Sequence, residues 1–553
     1  MMGKYVIKNA KIWTAEIKEE WVNCVGIEGE NIVFVGREKK LDPEFWKDAD
    51  ILDAGGRVVI PSFVDCHIHV TSVAKSLWYL ILERKKYDSF EELMISVKAY
   101  TDIHSTKEVP FLYAASCPME LMNGARKEML DAYVSDRPML LCDEGFHRCL
   151  VNSKMLELME IDADTPYNWN SSMNYERDAT GAPTGIVYEH CYEEDIDKMY
   201  EKIAWYPPNQ KDSKVVLPFL DMLNGWGVSA VLDGFTESED TFIGLQKLEQ
   251  DGRLNMYYQG NALFHNLDDL DQAIANVRNW QKKYASKHIK INTIKLFLDG
   301  TNEIGTAAVL EPLLTDPKGK NCGIINMSES DLTEVMLRLQ KERLNIQIHL
   351  VGDRAFRVAV NAVENAKTQV EAQGETFVPR VTLLHCELTK KEDRMRVADL
   401  GIQINCTPHW NGGIFGDSSL ELLGSERFNS MYAFQDFIES GAVLSCSSDV
   451  VDQEDMKRAN PFVGIEIGHT RHDEMTDFGV RTPVEERLSR RDLMLGYTIN
   501  GAKCMGIDSE MGSIKKGKIA NLLILNQDVF TVPAEEIRNT KPDTVIFEGK
   551  VMN

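Results

Sequence analysis

The 553-residue sequence has no uninterrupted apolar run near the roughly 20 residues a membrane-spanning helix needs, so no membrane span is expected. Its opening stretch, MMGKYVIKNAKIW, lacks the apolar core of a signal peptide, and none is expected. Basic charge is scarce. Sixty-one Lys and Arg face 86 Asp and Glu, a formal net charge of −25, which argues against nucleic acid and anionic membranes as partners. The eleven cysteines include no CxxC pair. Several of them, Cys66, Cys386, Cys406 and Cys446, sit inside apolar runs, where a free thiol behaves as a small hydrophobe. That usage fits a reduced, cytoplasmic protein. No internal repeat or low-complexity tract stands out. What remains is ordinary for a globular chain, 43% hydrophobic and 27% charged, and the length suggests two domains or one large barrel with additions.

Both ends of the chain read as short strands: YVIKNAKIWTA and CVGIEGENIVFVGRE at the start, GSIKKGKIANLLILN and DTVIFEGKVMN at the finish. A small β-sandwich assembled from residues 1–57 and 506–553 is expected. Between them, eight apolar runs each lead into a loop: VVIPSFVDCHIH, SAVLDG, LNMYYQGN, INTIKLFLDG, LNIQIHLVGD, VTLLHCE, GIQINCTPH and AVLSCSSDV. The pieces between them look helical, as in SDLTEVMLRLQKERL with Ser330 and Asp331 as capping residues. Eight βα units predict an α/β fold, a (β/α)8 TIM barrel over 58–505. The long interval after the first run predicts an inserted subdomain, about 75–215, placed to fold over the barrel mouth and carrying its own strand at PMLLCDEGFH.

Only twelve histidines occur, yet His67 and His69 stand one residue apart at the end of the first run. Residues two apart on a strand face the same way, so two imidazoles aim at one point. In a TIM barrel the active site lies at the C-terminal strand ends. Those ends carry His67, His69, Lys295, His349, His385 and Asp449. Neutral imidazole and carboxylate are ligands for zinc and similar divalent metals. Lys295 lies in the apolar run TIKLFLDG, where an unpaired ammonium is costly. A buried lysine loses its proton readily, and the neutral amine can add carbon dioxide to form a metal-bridging carbamate. The alternative is a lysine whose head pairs with Asp299 or Glu303.

These residues, with the motifs VIPSFVDCHIH, IKLFLDGTNEIGTAA, IHLVGDRAF, LLHCELT, SSDV and GYTINGAKCMGIDSEMGSIKKGKIANLLIL, resemble the amidohydrolase superfamily over nearly the whole chain. HRCLVNSKML and APTGIVYE match the same branch, family 3, which includes N-substituted formamide deformylases. The resemblance implies that His67, His69 and Asp449 hold one metal and His349 and His385 a second. Both ions are expected to be zinc, bridged by carboxylated Lys295. Three departures stand out: SSDVVDQ in place of Gly-Ser-Asp followed by Pro, Cys386-Glu387 in place of Ala-Gln, and Asn521 in place of an aspartate.

The ligand set implies attack by a metal-activated water, with Asp449 as general acid and base. His147 is read as reaching the site from the insertion to contact the substrate carbonyl or oxyanion, a surface histidine being the alternative. Glu189, His409 and Trp410 are read as substrate contacts. Trp78 and Tyr79 are read as a pocket wall or as packing against the insertion, and His469, Arg471 and His472 as a loop or a solvated helix start. The expected function is hydrolysis of a C–N bond in a small amide by a homodimer. The alternatives are a mononuclear deaminase, a cyclic-amide hydrolase, and a non-catalytic barrel scaffold.

Overall fold

The computed structural model describes residues 3–82, 87–166, 172–189, 191–209, 211–236, 238–412, 416–453, 455–474 and 479–552. Its centre is an eight-stranded parallel sheet whose strands follow one another in chain order. Barrel strands 1 to 4 are Phe63–Ile68, Val228–Asp233, Tyr257–Phe264 and Ile289–Phe297. Strands 5 to 8 are Asn345–Leu350, Val381–His385, Gln403–Cys406 and Val443–Cys446. Each of the eight expected runs therefore contributes a barrel strand, the first only through its second half. They read as continuous apolar stretches because helices cover the outside and side chains fill the inside, leaving few positions in water.

The sheet is nearly closed. At the seam between strands 8 and 1, the Asp449 amide donates to the His67 carbonyl at 2.9 Å and the His69 amide to the Val450 carbonyl at 3.1 Å. The buried Asp65 carboxylate accepts from the Ser448 amide at 3.2 Å. These bonds place Asp449 against the first two histidines.

The first apolar run does not form one strand. It divides at Ser62, and Val58–Pro61 pairs instead with Lys11–Ile12 and with Leu522–Ile524. This six-stranded sheet joins both chain ends. It shares an apolar cluster, including Ile7, Ile12, Val59 and Ile524, with a four-stranded sheet from residues 4–53. Another six-stranded sheet, between Leu80 and Tyr188, lies in the interval between barrel strands 1 and 2.

Two local readings shift. The helix Glu329–Glu342 is capped by Ser328, whose Oγ accepts from the Asp331 amide at 3.1 Å, and not by Ser330 or Asp331. Nine cysteines are free, but Cys142 and Cys149 form a disulfide. They stand directly opposite on neighbouring antiparallel strands, Cα atoms 4.1 Å apart, a pairing invisible in their sequence spacing. Among the described residues no helix is long and apolar enough to cross a membrane.

Candidate active site

Barrel strand 1 delivers His67, and His69 follows directly as the N-cap of the helix Val70–Ser76. Their Nε2 atoms lie 3.2 and 3.1 Å from the same Asp449 oxygen. One ligand atom from each of these three residues falls within 4.8 Å of the other two, a candidate metal centre. Gly234, after strand 2, gives His69 its space: a Cβ there would stand 2.3 Å from the imidazole Cε1.

His385 and His349 stand beside this trio. His385 Nδ1 is 3.5 Å from the other Asp449 oxygen, and the His349 and His385 rings are 4.6 Å apart. The His67 and His385 rings are 5.4 Å apart. His385, Cys386 and Asp449 all adopt left-handed backbone, φ 68°, 46° and 49°. Such conformations are costly for non-glycine residues and persist where the surroundings fix them, often at functional sites.

Lys295 is fully buried on strand 4, with its Nζ unpartnered and 4.8 Å from the Phe297 ring centroid. It pairs with neither Asp299 nor Glu303. Asp299 instead accepts backbone N–H bonds from Ala308, Val351 and Gly352. Burial pushes the Lys295 amine down to about 7. Burial, reinforced by Lys295, lowers His67 to about 4, and burial lowers His349 and His385 as well. The Asp449 carboxyl resists its own burial, because the His67, His69 and His385 imidazoles hold it well below the usual carboxylate range.

These are the protonation states a cation needs: neutral imidazoles, an ionised carboxylate and an amine able to lose its proton. The buried nitrogens His67 Nδ1, His385 Nδ1 and Lys295 Nζ have no hydrogen-bond partner. Burying polar atoms without partners is expensive, so the donor set fits divalent metal.

The site opens into a cavity of about 690 Å³. His147 reaches it from the interval sheet, its ring 5.6 Å from that of His349. Glu189 sits behind His147: its carboxylate meets Nδ1 at 2.6 Å and accepts from the Thr306 hydroxyl at 3.0 Å. Burial opposes protonation of His147, but the Glu189 charge and hydrogen bond prevail and raise it to about 9. His409 and Trp410 line the cavity, and the Trp410 indole stacks on the His385 ring at 5.0 Å. Trp78 and Tyr79 line it too, in an aromatic wall with Tyr113, whose ring stacks 3.7 Å from Tyr79.

His469, Arg471 and His472 are not among its lining residues. His469 ends the helix Pro461–Thr470, and fully buried Arg471 donates to the backbone carbonyls of Tyr432, Arg481 and Thr482. Sequence reading missed Tyr113 and Tyr192 on the wall, and Phe235 and Phe297 beside His69 and His349. Aromatics in apolar runs carry no signal separating a cavity wall from core.

A parallel barrel with clustered imidazoles and carboxylate at its C-terminal strand ends defines a metal-dependent hydrolase. The profile of the Amidohydrolase family matches residues 50–552, so the chain belongs to that family and is an enzyme acting on carbon–nitrogen bonds. The N-substituted formamide deformylase of Arthrobacter pascens is 24% identical over 560 residues, covering 99% of this chain and 98% of that protein. The exoenzymes regulatory protein AepA of Pectobacterium carotovorum subsp. carotovorum is 22% identical, covering 81% and 94%. Among solved structures, an uncharacterised metal-dependent hydrolase from Pyrococcus furiosus is 24% identical with a TM-score of 0.68, covering 96% of this chain and all of that one. One from Pyrococcus horikoshii OT3 is 21% identical with a TM-score of 0.71.

Proposed function

We propose that the chain hydrolyses the C–N bond of a small amide, R–CO–NH–R′ plus water giving a carboxylate and an amine. The observation that carries this reading is the convergence of His67, His69 and Asp449 beside His349, His385 and an unpartnered, buried Lys295. In this reading His67, His69 and Asp449 would hold one divalent ion and His349 and His385 a second, and Lys295, once carboxylated by carbon dioxide, would supply a further anionic ligand. Zinc suits this nitrogen and oxygen donor set. When bound, such ions polarise a carbonyl and make water more acidic.

The chain's own residues do the rest. Asp449 takes the proton of the attacking water and returns it to the leaving nitrogen, which must depart as an amine. His147, held protonated by Glu189, turns Nε2 toward the cavity and donates to the substrate oxygen as negative charge develops there. His409 and Trp410 contact the substrate, while Glu189 acts through His147. The wall of Trp78, Tyr79 and Tyr113 excludes water. Three structural assignments belong to the same proposal: residues 75–215 as an insertion covering the mouth, the sheets from both chain ends as a β-sandwich, and a cytoplasmic homodimer. The insertion is supported by residues of that interval and of the barrel lining one cavity.

The test is a hydrolysis screen of metal-loaded enzyme against formamides, N-acyl amino acids, cyclic imides and simple esters. Amide cleavage is expected. Turnover confined to esters, or none at all, would overturn the reading.

A further inference from the structure

The cavity is markedly acidic. Among the described residues, seven carboxylate residues besides Asp449 line it, against one ammonium besides Lys295, that of Lys75. Two of those acids are matched elsewhere, Asp240 by Lys211 at 2.8 Å and Asp455 by Arg458 at 3.2 Å. His147 pairs with Glu189 and also faces Asp143 and Glu303.

Glu303 and Glu387 differ. Glu303 follows strand 4, and Glu387 follows strand 6, two residues beyond His385. Glu387 is only 2% exposed. Its Oε2 accepts from the neutral Asn302 amide at 3.0 Å, and the Tyr432 hydroxyl also bonds its carboxylate. The Glu303 carboxyl takes a hydrogen bond from the Thr301 side chain and feels the His147 charge, but its Oε1 atom is buried with no hydrogen-bond partner. Neither carboxylate makes an ion pair within 4.0 Å among the described residues. Arg481 acts on both from a greater distance, its guanidinium lying over the Phe428 and Tyr432 rings at 4.3 and 4.8 Å, and it does not line the cavity.

A second observation is independent of the acids. His409, 3% exposed, lines the same cavity with its Nδ1 unpartnered. Beside it stands Trp410, one face of which is stacked on His385. The described lining is rich in carboxylates and poor in cations, and the Glu303 Oε1 atom lacks a donor. Buried acceptors without donors and buried carboxylates without an ion pair are both costly. A group that brings several N–H donors and a positive charge meets both deficits.

We propose that the substrate carries an ammonium group in its non-reacting part, and that Glu303 and Glu387 are the residues that select it. This rests on the amide-hydrolase reading above and narrows it to amides of cationic amines.

The test compares three N-formyl amides of similar length: that of 1,4-diaminobutane, that of n-pentylamine, with methyl in place of ammonium, and that of 4-aminobutanoate, with a carboxylate. For the wild-type enzyme kcat/KM is expected to favour the cation over the neutral amide by about 10- to 100-fold, the scale of a charged hydrogen bond, with the anion slowest. Glu303→Gln and Glu387→Gln are each expected to shrink the cation-to-neutral ratio by about tenfold or more. A neutral amide cleaved as well as the cationic one by the wild type, or a ratio unchanged in both variants, overturns the proposal. If none of the three is cleaved, calorimetric binding of 1,4-diaminobutane against n-pentylamine to the metal-loaded protein decides. Tighter diamine binding, lost in the two variants, supports the selection even where the choice of reaction fails. Equal binding overturns it.

Discussion

At the scale of single residues, the site depends on groups held in states they would not adopt in water. Lys295 is a buried amine without a partner among the described residues, its pKa pushed down to about 7 by burial. Lys295→Ala should lower metal occupancy and remove most activity, and short carboxylic acids should restore part of it by replacing the carbamate. Full activity in the variant, with normal metal content, would make the lysine structural. Asp449 is a proton acceptor as well as a ligand in this account. Asp449→Asn keeps the shape but cannot take a proton, so turnover should fall by about 10²–10⁴-fold while KM changes far less. A variant that keeps its metal and turns over within a few-fold of wild type would move the proton shuttle to another residue. The residue types at the strand ends were legible in the sequence, because histidine and lysine in apolar runs are conspicuous. The left-handed backbone of His385 and Asp449 was not, since it is imposed by the neighbours those residues meet.

At the scale of elements, the eight barrel strands were legible as apolar runs ending in polar residues. The division of the first run at Ser62 was not, because Val58–Pro61 and Phe63–Ile68 are equally buried and differ only in which strands they pair with. The interval sheet was legible as excess length and as one of its strands, Met139–Asp143 within PMLLCDEGFH. Its contribution to the site, His147 on the loop after Met139–Asp143 and Glu189 just after Pro183–Tyr188, depends on packing that brings two distant segments to a 2.6 Å contact. Glu189 is where the geometry refines the sequence reading: it touches His147 and Thr306 and is not among the cavity-lining residues. The pH profile tests its role. Burial opposes protonation of His147, but Glu189, with smaller help from Asp143 and Glu303, raises it from 6.5 to about 9, so the imidazolium persists above neutral pH. Glu189→Gln removes that charge and should move the alkaline limb of the kcat/KM profile down toward the ordinary histidine range. An unmoved alkaline limb would mean that His147 need not be protonated.

At the scale of the molecule, the terminal sheets and the barrel meet at a half-buried ion cluster. His288, just before barrel strand 4, places Nδ1 2.8 Å from Glu249 and Nε2 2.9 Å from Glu548, which sits in the turn between the last two strands. Tyr257 and Lys287 also reach Glu548, at 2.5 and 2.7 Å. Burial opposes the His288 charge, but Glu548 and Glu249 raise its pKa above 6.5. Burial likewise opposes ionisation of Glu548, and His288, Lys287 and Tyr257 lower it from 4.5 to about 2. The histidine's contribution is fully present below about pH 6.5 and fades as pH rises through its raised folded value; the glutamate's is present above about 4.5 and fades as pH falls toward 2. His288→Gln should therefore cost about 1 kcal/mol near pH 6 and less near pH 9, since part of the cluster meets solvent. Thermal unfolding at the two pH values, giving equal losses, would count against the cluster. The sequence foretold that the chain ends come together, but not that a histidine joins them to the barrel.

We propose that the converging strand ends form a two-ion hydrolytic centre. The direct measurement is a zinc titration of chelator-stripped enzyme in bicarbonate, reading metal bound per chain together with amine released from an amide found in the screen. Activity that rises to a break at about two ions per chain, with Lys295→Ala and His67→Ala binding fewer, is the predicted result. Saturation at one ion, or amide cleavage that persists in the stripped enzyme without added metal, would contradict it.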